Sequence, residues 1–276
     1  MSKQLLIYER ATPISPDKHR NLSVRSGTSW AFAAHLNSVP MLVTEIEPAS
    51  AEMPIVFAGE GETLSPVALL GLRADENLFV NPDGGWTGAY IPAFLRRYPF
   101  VFAETGEDGQ TLTLCIDEAS DGVNTQGRGE RLFDSEGERT HYLSKMLKFS
   151  SDYQAQHDLT RRFCQQLLAM NLLEPAVARV TLGSGQTLTV TGFQRVNRTR
   201  LNDLDDTEVT RLFRSETLAL IYYHIASLGH VSQLATRTRP GKGDTPDASK
   251  QADAIAEETS LSRQSSMAES TGSGSA

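Results

Sequence analysis

The hydrophobic pattern of this chain changes near residue 134, and that change limits the folds open to it. Before residue 134, short apolar runs such as 54–59 and 67–72 are separated by glycine and proline, a pattern typical of β-strands. After it, apolar residues recur at helical spacing in 142–147 and again in 163–170. Because strand-like runs come first and helical runs follow, we predict an α+β fold. An antiparallel-rich sheet from the first half would be covered by helices from the second half.

Individual elements follow from the same periodicities. The segments YPFVFAE and TLTLCID flank the turn-rich TGEDGQ and predict a hairpin. The stretch ARVTLGSGQTLTVTGF predicts a second hairpin, and DDTEVTRLF and SETLALIYYHIASL predict two helices. Residues 4–8 and 22–26 are expected to be strands. Ser150, Ser151 and Asp152 resemble helix caps, so the region after residue 138 is read as two helices or one broken helix.

The distribution of apolar residues predicts one folded domain, 1–238, with a helix-rich sub-domain from about residue 138 as its main variant. From Arg239 to Ala276 the chain is composed of Ser, Gly, Ala, Asp, Glu and Lys with almost no large apolar side chain. Such a segment cannot bury enough apolar surface to offset its ordering entropy. We therefore predict a disordered, low-complexity tail over 239–276.

The net charge, the lengths of the apolar runs and the cysteine content argue against several classes of protein. A net charge of −8 argues against a nucleic-acid partner, because binding phosphates requires a basic face. The chain has no apolar run of about 18 residues, so no transmembrane segment is expected. The first residues, MSKQLLIYER, lack the apolar core of a secretory signal, which predicts a soluble cytoplasmic protein. Signal-independent export to the cell surface stays open. Cys115 and Cys164 are expected to be reduced thiols, with a disulfide between them as the alternative.

No motif for catalysis or metal binding is found. The histidines lack the spacing of zinc or facial-triad sites, and the chain has no GxSxG elbow and no phosphate-binding loop. The adjacent acids, such as Asp205 with Asp206, show no convergence on a pocket from sequence alone. We therefore assign no catalytic residue, no metal ligand and no cofactor, and lean towards a protein that is not an enzyme.

The stretch GAYIPAFLRRYPFVF, residues 88–102, has two interpretations. In the structural one, Pro92 and Pro99 bound a short helix whose Phe94 and Tyr98 face the core, while the arginines pair with an acid such as Asp117 or Glu45. In the functional one, arginine and aromatic side chains form a recognition patch, since these residue types dominate binding hot spots. The candidate binding residues are Trp86, Tyr90, Arg96, Arg97 and Tyr98.

A series of sequence blocks identifies a family resemblance. MPIVF, ALLGL, ENLFV, YIPAFLRRYPF, LCID and LFDSEGE occur in an order that resembles the bacterial SapC family, and VTGFQRVN and LALIYYHIASL resemble its later blocks. The blocks cover most of residues 5–235. The resemblance is to the surface-layer-associated SapC-like proteins, and not to the peptide-transport permease of the same name.

The resemblance implies a cellular setting for the protein and does not imply a chemical reaction. The family takes its name from a protein linked to a bacterial surface layer, and its members tend to be encoded beside tryptophan-halogenase-like proteins, cupin-like proteins and outer-membrane nutrient receptors. No catalytic residues carry over to this chain. The first hypothesis is therefore a non-catalytic interaction or accessory protein of a surface-layer or envelope nutrient-uptake system, with a protein partner. The alternative is an enzyme or enzyme partner that acts with a flavin halogenase-like or cupin-like protein on an aromatic or anionic small molecule.

Overall fold

The computed structural model describes residues 7–105, 111–182 and 187–238. The predicted tail, 239–276, lies outside the described residues, as do the turns of both predicted hairpins and residues 4–6 of the first predicted strand. The α+β class is confirmed, because every strand pairing in the described part of the chain is antiparallel and helices and strands are both abundant.

The described strands and helices follow one another in short segments until residue 141. The strands are β1 (Ala11–Pro13), β2 (Ser23–Val24), β3 (Ser38–Pro40), β4 (Ile55–Ala58), β5 (Ser65–Leu69), β6 (Phe100–Thr105), β7 (Thr111–Asp117), β8 (Val123–Asn124), β9 (Glu130–Arg131), β10 (Leu173–Thr181) and β11 (Thr187–Val196). The helices are α1 (Pro16–His19), α2 (Ile46–Ala49), α3 (Ala93–Arg96), α4 (His141–Ala169), α5 (Arg198–Asn202), α6 (Asp206–Arg214), α7 (Thr217–Ser227) and α8 (His230–Arg237). Short 3₁₀ turns occupy Ala31–Ala33, Val43–Glu45 and Gly61–Thr63.

The described chain divides into two compact units. The first unit contains residues 7–29 and 95–155, and the second contains residues 30–94 and 156–238. Residues 106–110 and 183–186 lie outside the described residues. Each unit therefore combines chain from the first and the second half of the sequence. The domain boundaries proposed from the sequence stay a prediction.

The first unit is built on two small sheets. One has the order β1-β7-β6, in which β6 and β7 form the first predicted hairpin, and the other has the order β8-β2-β9. Phe100 and Ile116 from the hairpin are fully buried against Leu132 and Phe133. Leu143, from the first turn of α4, completes this core. The helix therefore covers the sheet through its amino-terminal turns, as the periodicity after residue 134 predicts.

The second unit is built on one five-stranded sheet with the order β10-β11-β4-β5-β3. The central strands β4 and β5 are buried along their whole length, which is why their sequences are continuous apolar runs. Helix α7 packs against β4 and β11 and turns Ile221 and His224 inward. The prediction that helices of the second half cover the sheet is confirmed. The second half also supplies the β10–β11 hairpin, so the sheet is not confined to the first half.

The break predicted in α4 is wrong, and the strand predicted over 4–8 does not include its two described residues. Helix α4 runs unbroken for 29 residues, although Ser150, Ser151 and Asp152 resemble caps. The segment contains no glycine or proline, and the i,i+4 ion pair from Lys148 to Asp152 (2.8 Å) supports the helix where a break was expected. Ile7 and Tyr8 belong to no strand. Both are buried, and the Tyr8 hydroxyl donates to the carbonyl of Phe100 at 2.7 Å.

Among the described residues, no helix combines the length and the apolar character needed to cross a membrane.

Candidate functional site

Two carboxylates fix the loop that carries Trp86 and Tyr90, residues 84–93 of the second unit, which we call the Trp86 loop. Glu52 accepts hydrogen bonds from the backbone N–H groups of Ala89 (2.9 Å) and Tyr90. Glu45, which is buried, accepts from the Tyr90 hydroxyl at 2.7 Å and from the Ala93 N–H at 2.6 Å. Both acids lie in or beside the short helical turns Val43–Glu45 and Ile46–Ala49. The loop is therefore held at its centre and at its end by charge-assisted hydrogen bonds.

The indole of Trp86 belongs to a small aromatic cluster. Its ring stacks on fully buried Phe79 at 5.4 Å between centroids, and its N–H donates to the Tyr90 carbonyl at 2.9 Å. The guanidinium of Arg237, on α8, lies 5.0 Å from the centre of the Phe79 ring. A Cβ at Gly88 would approach Trp86 Nε1 to 2.9 Å, so the loop closes around the indole only with glycine there. Trp86 and Tyr90 are brought together, and each is half-buried.

Arg96, Arg97 and Tyr98 belong to the first unit. The guanidinium of Arg97 lies 4.6 Å from the centre of the Tyr153 ring, on α4. That of Arg96 lies 5.4 Å from the Phe149 ring on the same helix. Two successive arginines therefore contact two aromatic side chains one helical turn apart. These are cation–π contacts with the protein's own rings, which favours the structural interpretation of this segment.

Tyr98 joins the arginines to a buried acid. Its ring packs 5.5 Å from that of Tyr8, and its hydroxyl donates to Asp117 at 3.3 Å. Burial, together with the nearby Asp117 carboxylate, raises the pKa of Tyr98 to about 12. Asp117 is fully buried at the end of β7 and also accepts from the N–H groups of Glu9, Arg10 and Ala119. This carboxylate thereby anchors the amino-terminal segment of the first unit.

The five residues proposed from the sequence thus divide into two groups, Trp86 with Tyr90 in the second unit and Arg96, Arg97 and Tyr98 in the first. Within each group the side chains contact other residues of the same unit. Phe94 is fully buried, as the structural interpretation predicts, and Tyr98 is half-buried. Their role as binding residues stays a hypothesis.

The thiols and the buried histidine have inert surroundings. Burial raises the pKa of the Cys115 thiol, and it raises that of Cys164 to about 12. Both cysteines are free in this structure, and their reduced state in the cell stays a prediction. His224 is fully buried on α7, where both ring nitrogens bind backbone groups. Over residues 7–105, 111–182 and 187–238, no three His, Cys, Asp or Glu side chains are grouped so as to hold a metal ion.

Sequence reasoning missed a group of exposed apolar side chains on α6 and α7. Phe213 is 72% exposed and Val209, one turn earlier on the same helix face, is 37% exposed. Tyr222, on α7, is 50% exposed. We call these three side chains the α6–α7 apolar residues. A signal for them exists in the sequence, because α7 (TLALIYYHIAS) is apolar on every side and only one side can face the sheet.

These features define an antiparallel α+β protein that carries exposed apolar helix residues and a loop held by two carboxylates, of which that of Glu45 is buried. The family model of SapC matches residues 14–234, and the chain belongs to the SapC family. No curated protein and no solved structure matches the chain.

Proposed function

We propose that this protein is a non-catalytic interaction protein, an accessory component of a bacterial surface-layer or envelope nutrient-uptake system. The observation that carries the proposal is the exposure of the α6–α7 apolar residues, Val209, Phe213 and Tyr222. Membership of the SapC family supports the bacterial envelope as the setting. The link to a surface layer comes from the resemblance described above.

Exposed aromatic side chains of this size favour a protein partner. Covering a phenylalanine side chain contributes about 1.5–3 kcal/mol, and phenylalanine and tyrosine are enriched at protein interfaces. Single exposed apolar residues are ordinary on a protein surface, but here two share one face of a nine-residue helix and the third lies on the next helix.

The helix that carries Phe213, α6, is capped at its amino terminus. Asp205 accepts from the N–H of Glu208 at 2.7 Å, and the Glu208 carboxylate turns back towards the N–H of Asp205, which completes a capping box. Leu212 is fully buried and fixes the rotation of the helix, so that Val209 and Phe213 point away from the core. A face already fixed in its bound conformation loses little entropy on association, which favours binding.

A pull-down with matched variants tests the proposal. Tagged wild-type protein, Phe213→Ser and Val177→Ser are each incubated with the solubilised envelope of the native cell. Val177 is the control because it is an apolar residue of the same unit, 58% exposed on β10, outside α6 and α7. We expect wild type and Val177→Ser to retain the same envelope protein, and Phe213→Ser to lose most of it. Equal capture by all three would reject these helices as the binding surface.

A further inference from the structure

The first unit contains a cavity that no function described above uses. It has a volume of about 540 Å³ and opens to solvent on one side. Leu114, Phe133 and Leu143, all buried in the core of the unit, form its floor. Ile14 and Leu147 form apolar walls, and Leu112 lines it with a side chain that is 46% exposed. Its size and apolar lining are those of a small-molecule site.

Two residues of opposite charge line this cavity. Glu138 and Arg139 both line it, at the end of the short turn that follows Phe133. Both side chains are exposed, and neither makes a hydrogen bond or ion pair with any residue that the structure describes. The side chain of Asp134 holds the turn instead, since its carboxylate accepts from the backbone N–H groups of Glu136 and Glu138 at 2.9 Å. The two charged groups are therefore available to a ligand.

We propose that this cavity binds a small zwitterionic amphiphile, a molecule with an apolar body and adjacent carboxylate and ammonium groups, as in an α-amino acid with a large apolar side chain. The apolar body lies against Leu114, Phe133 and Leu143. The carboxylate pairs with the guanidinium of Arg139, which can donate two parallel hydrogen bonds, and the ammonium pairs with Glu138. The proposal is independent of the protein-binding function proposed for α6 and α7.

The pair of charges is what selects the class of ligand. A purely anionic head group is attracted by Arg139 and repelled by Glu138, and a purely cationic head group is attracted by Glu138 and repelled by Arg139. A head group that carries both charges is attracted by both residues. Because both side chains are exposed to solvent, each charge contributes modestly, about 1.4- to fivefold in affinity. The apolar body supplies the larger part, about fourfold for each buried methylene group.

Calorimetric titration of the full chain with three probes tests the proposal: octanoate, octylamine and 2-aminodecanoic acid, which carries both charges and an eight-carbon side chain. We expect 2-aminodecanoic acid to bind tightest. In Arg139→Gln the preference for the zwitterion over octylamine should disappear, and in Glu138→Gln the preference over octanoate should disappear. A 2-aminooctanoic acid probe should bind more than about tenfold more weakly than its longer homologue.

Two tryptophan variants locate the binding. Leu112→Trp fills the cavity and should abolish binding of 2-aminodecanoic acid. Leu159→Trp is the matched control, because Leu159 is 44% exposed on α4 and does not line the cavity, and it should bind as wild type does. Absence of binding by all probes, equal binding by both tryptophan variants, or a head-group preference that survives both charge variants would each overturn the proposal.

Discussion

The imidazole of His224 occupies the place of a direct sheet hydrogen bond to Ile55. Gln194 of β11 pairs with Phe57 of β4, so antiparallel register would bring Val196 opposite Ile55. Instead the ring lies between the two backbones. Nε2 accepts from the Val196 N–H at 3.1 Å, and Nδ1–H donates to the Ile55 carbonyl at 2.8 Å. Ser227 completes the join by accepting from the Ile55 N–H at 3.0 Å, so α7 binds both polar backbone groups of Ile55.

This arrangement requires a neutral imidazole, and it predicts acid-sensitive stability. Burial lowers the pKa of His224 to about 4, and protonation at Nε2 would remove the acceptor for Val196. The unfolded chain takes up the proton below a pKa of about 6.5 while the folded chain does not. The free energy of unfolding should therefore fall as pH decreases from about 6.5 to about 4, by about 3 kcal/mol from this group. Urea unfolding at a series of pH values measures it.

The control for that prediction is His224→Gln. Glutamine has a donor and an acceptor but no proton to gain in this range. The variant should be less stable than wild type at pH 7, and the difference between the two proteins should shrink as the pH falls towards 4. A difference that stays constant from pH 7 to pH 4 would mean that His224 does not remain neutral in the folded protein.

Asp117 should be essential to the stability of the first unit. Asp117→Asn replaces one of the two carboxylate oxygens that accept from Glu9, Arg10, Ala119 and Tyr98 by an amide donor. We expect a loss of about 2–3 kcal/mol in the free energy of unfolding, because the substitution would place a buried amide donor opposite groups that also donate. The exposed Asp121→Asn is the control and should cost less than about 0.5 kcal/mol. Similar melts for the two variants would contradict this role.

Alanine substitutions of Phe94 and Phe213 should differ in their effect on stability, because one side chain is buried and the other is exposed. Phe94 is fully buried, and Phe94→Ala should lower the free energy of unfolding by about 3–5 kcal/mol. Phe213 is largely exposed, and Phe213→Ala should change it by less than about 0.5 kcal/mol. Thermal and urea melts compare the two directly. A stable Phe94→Ala protein would remove the structural interpretation of residues 88–102.

The thiols should react only after unfolding. Cys164 has a pKa of about 12 and Cys115 a raised pKa, both through burial, so little thiolate exists at pH 8. A thiol-specific disulfide reagent should label neither cysteine in the native protein and both in urea. Addition of a reductant should leave the melting temperature unchanged, because both cysteines are free. Rapid labelling of the native protein would show that one of these thiols is accessible.

Much of the fold could be predicted from the sequence where a pattern is local. The β6–β7 and β10–β11 hairpins, α6 and α7 follow from alternation, helical spacing and turn residues. The unbroken α4 could not be predicted in this way, because serine and aspartate serve as caps in one context and as ordinary helix residues in another. The order β10-β11-β4-β5-β3 depends on contacts between distant segments, on which periodicity gives no information.

The site was predictable only in part. The density of arginine and aromatic residues in 88–102 pointed to an important segment. That Arg97 lies on Tyr153 and that Glu52 binds the Trp86 loop are contacts over long sequence separations, and composition does not specify them. Phe213 was placed correctly on a helix, but its exposure depends on which face Leu212 buries.

The central claim is that α6 and α7 bind a protein partner, and site-specific photo-crosslinking tests it most directly. A photoreactive phenylalanine analogue is placed at residue 213, or at the control residue 177, in the native cell. We predict one discrete adduct with an envelope protein from position 213 and none from position 177. No adduct from position 213, the same adduct from both positions, or an adduct only with a second copy of the chain would contradict the account.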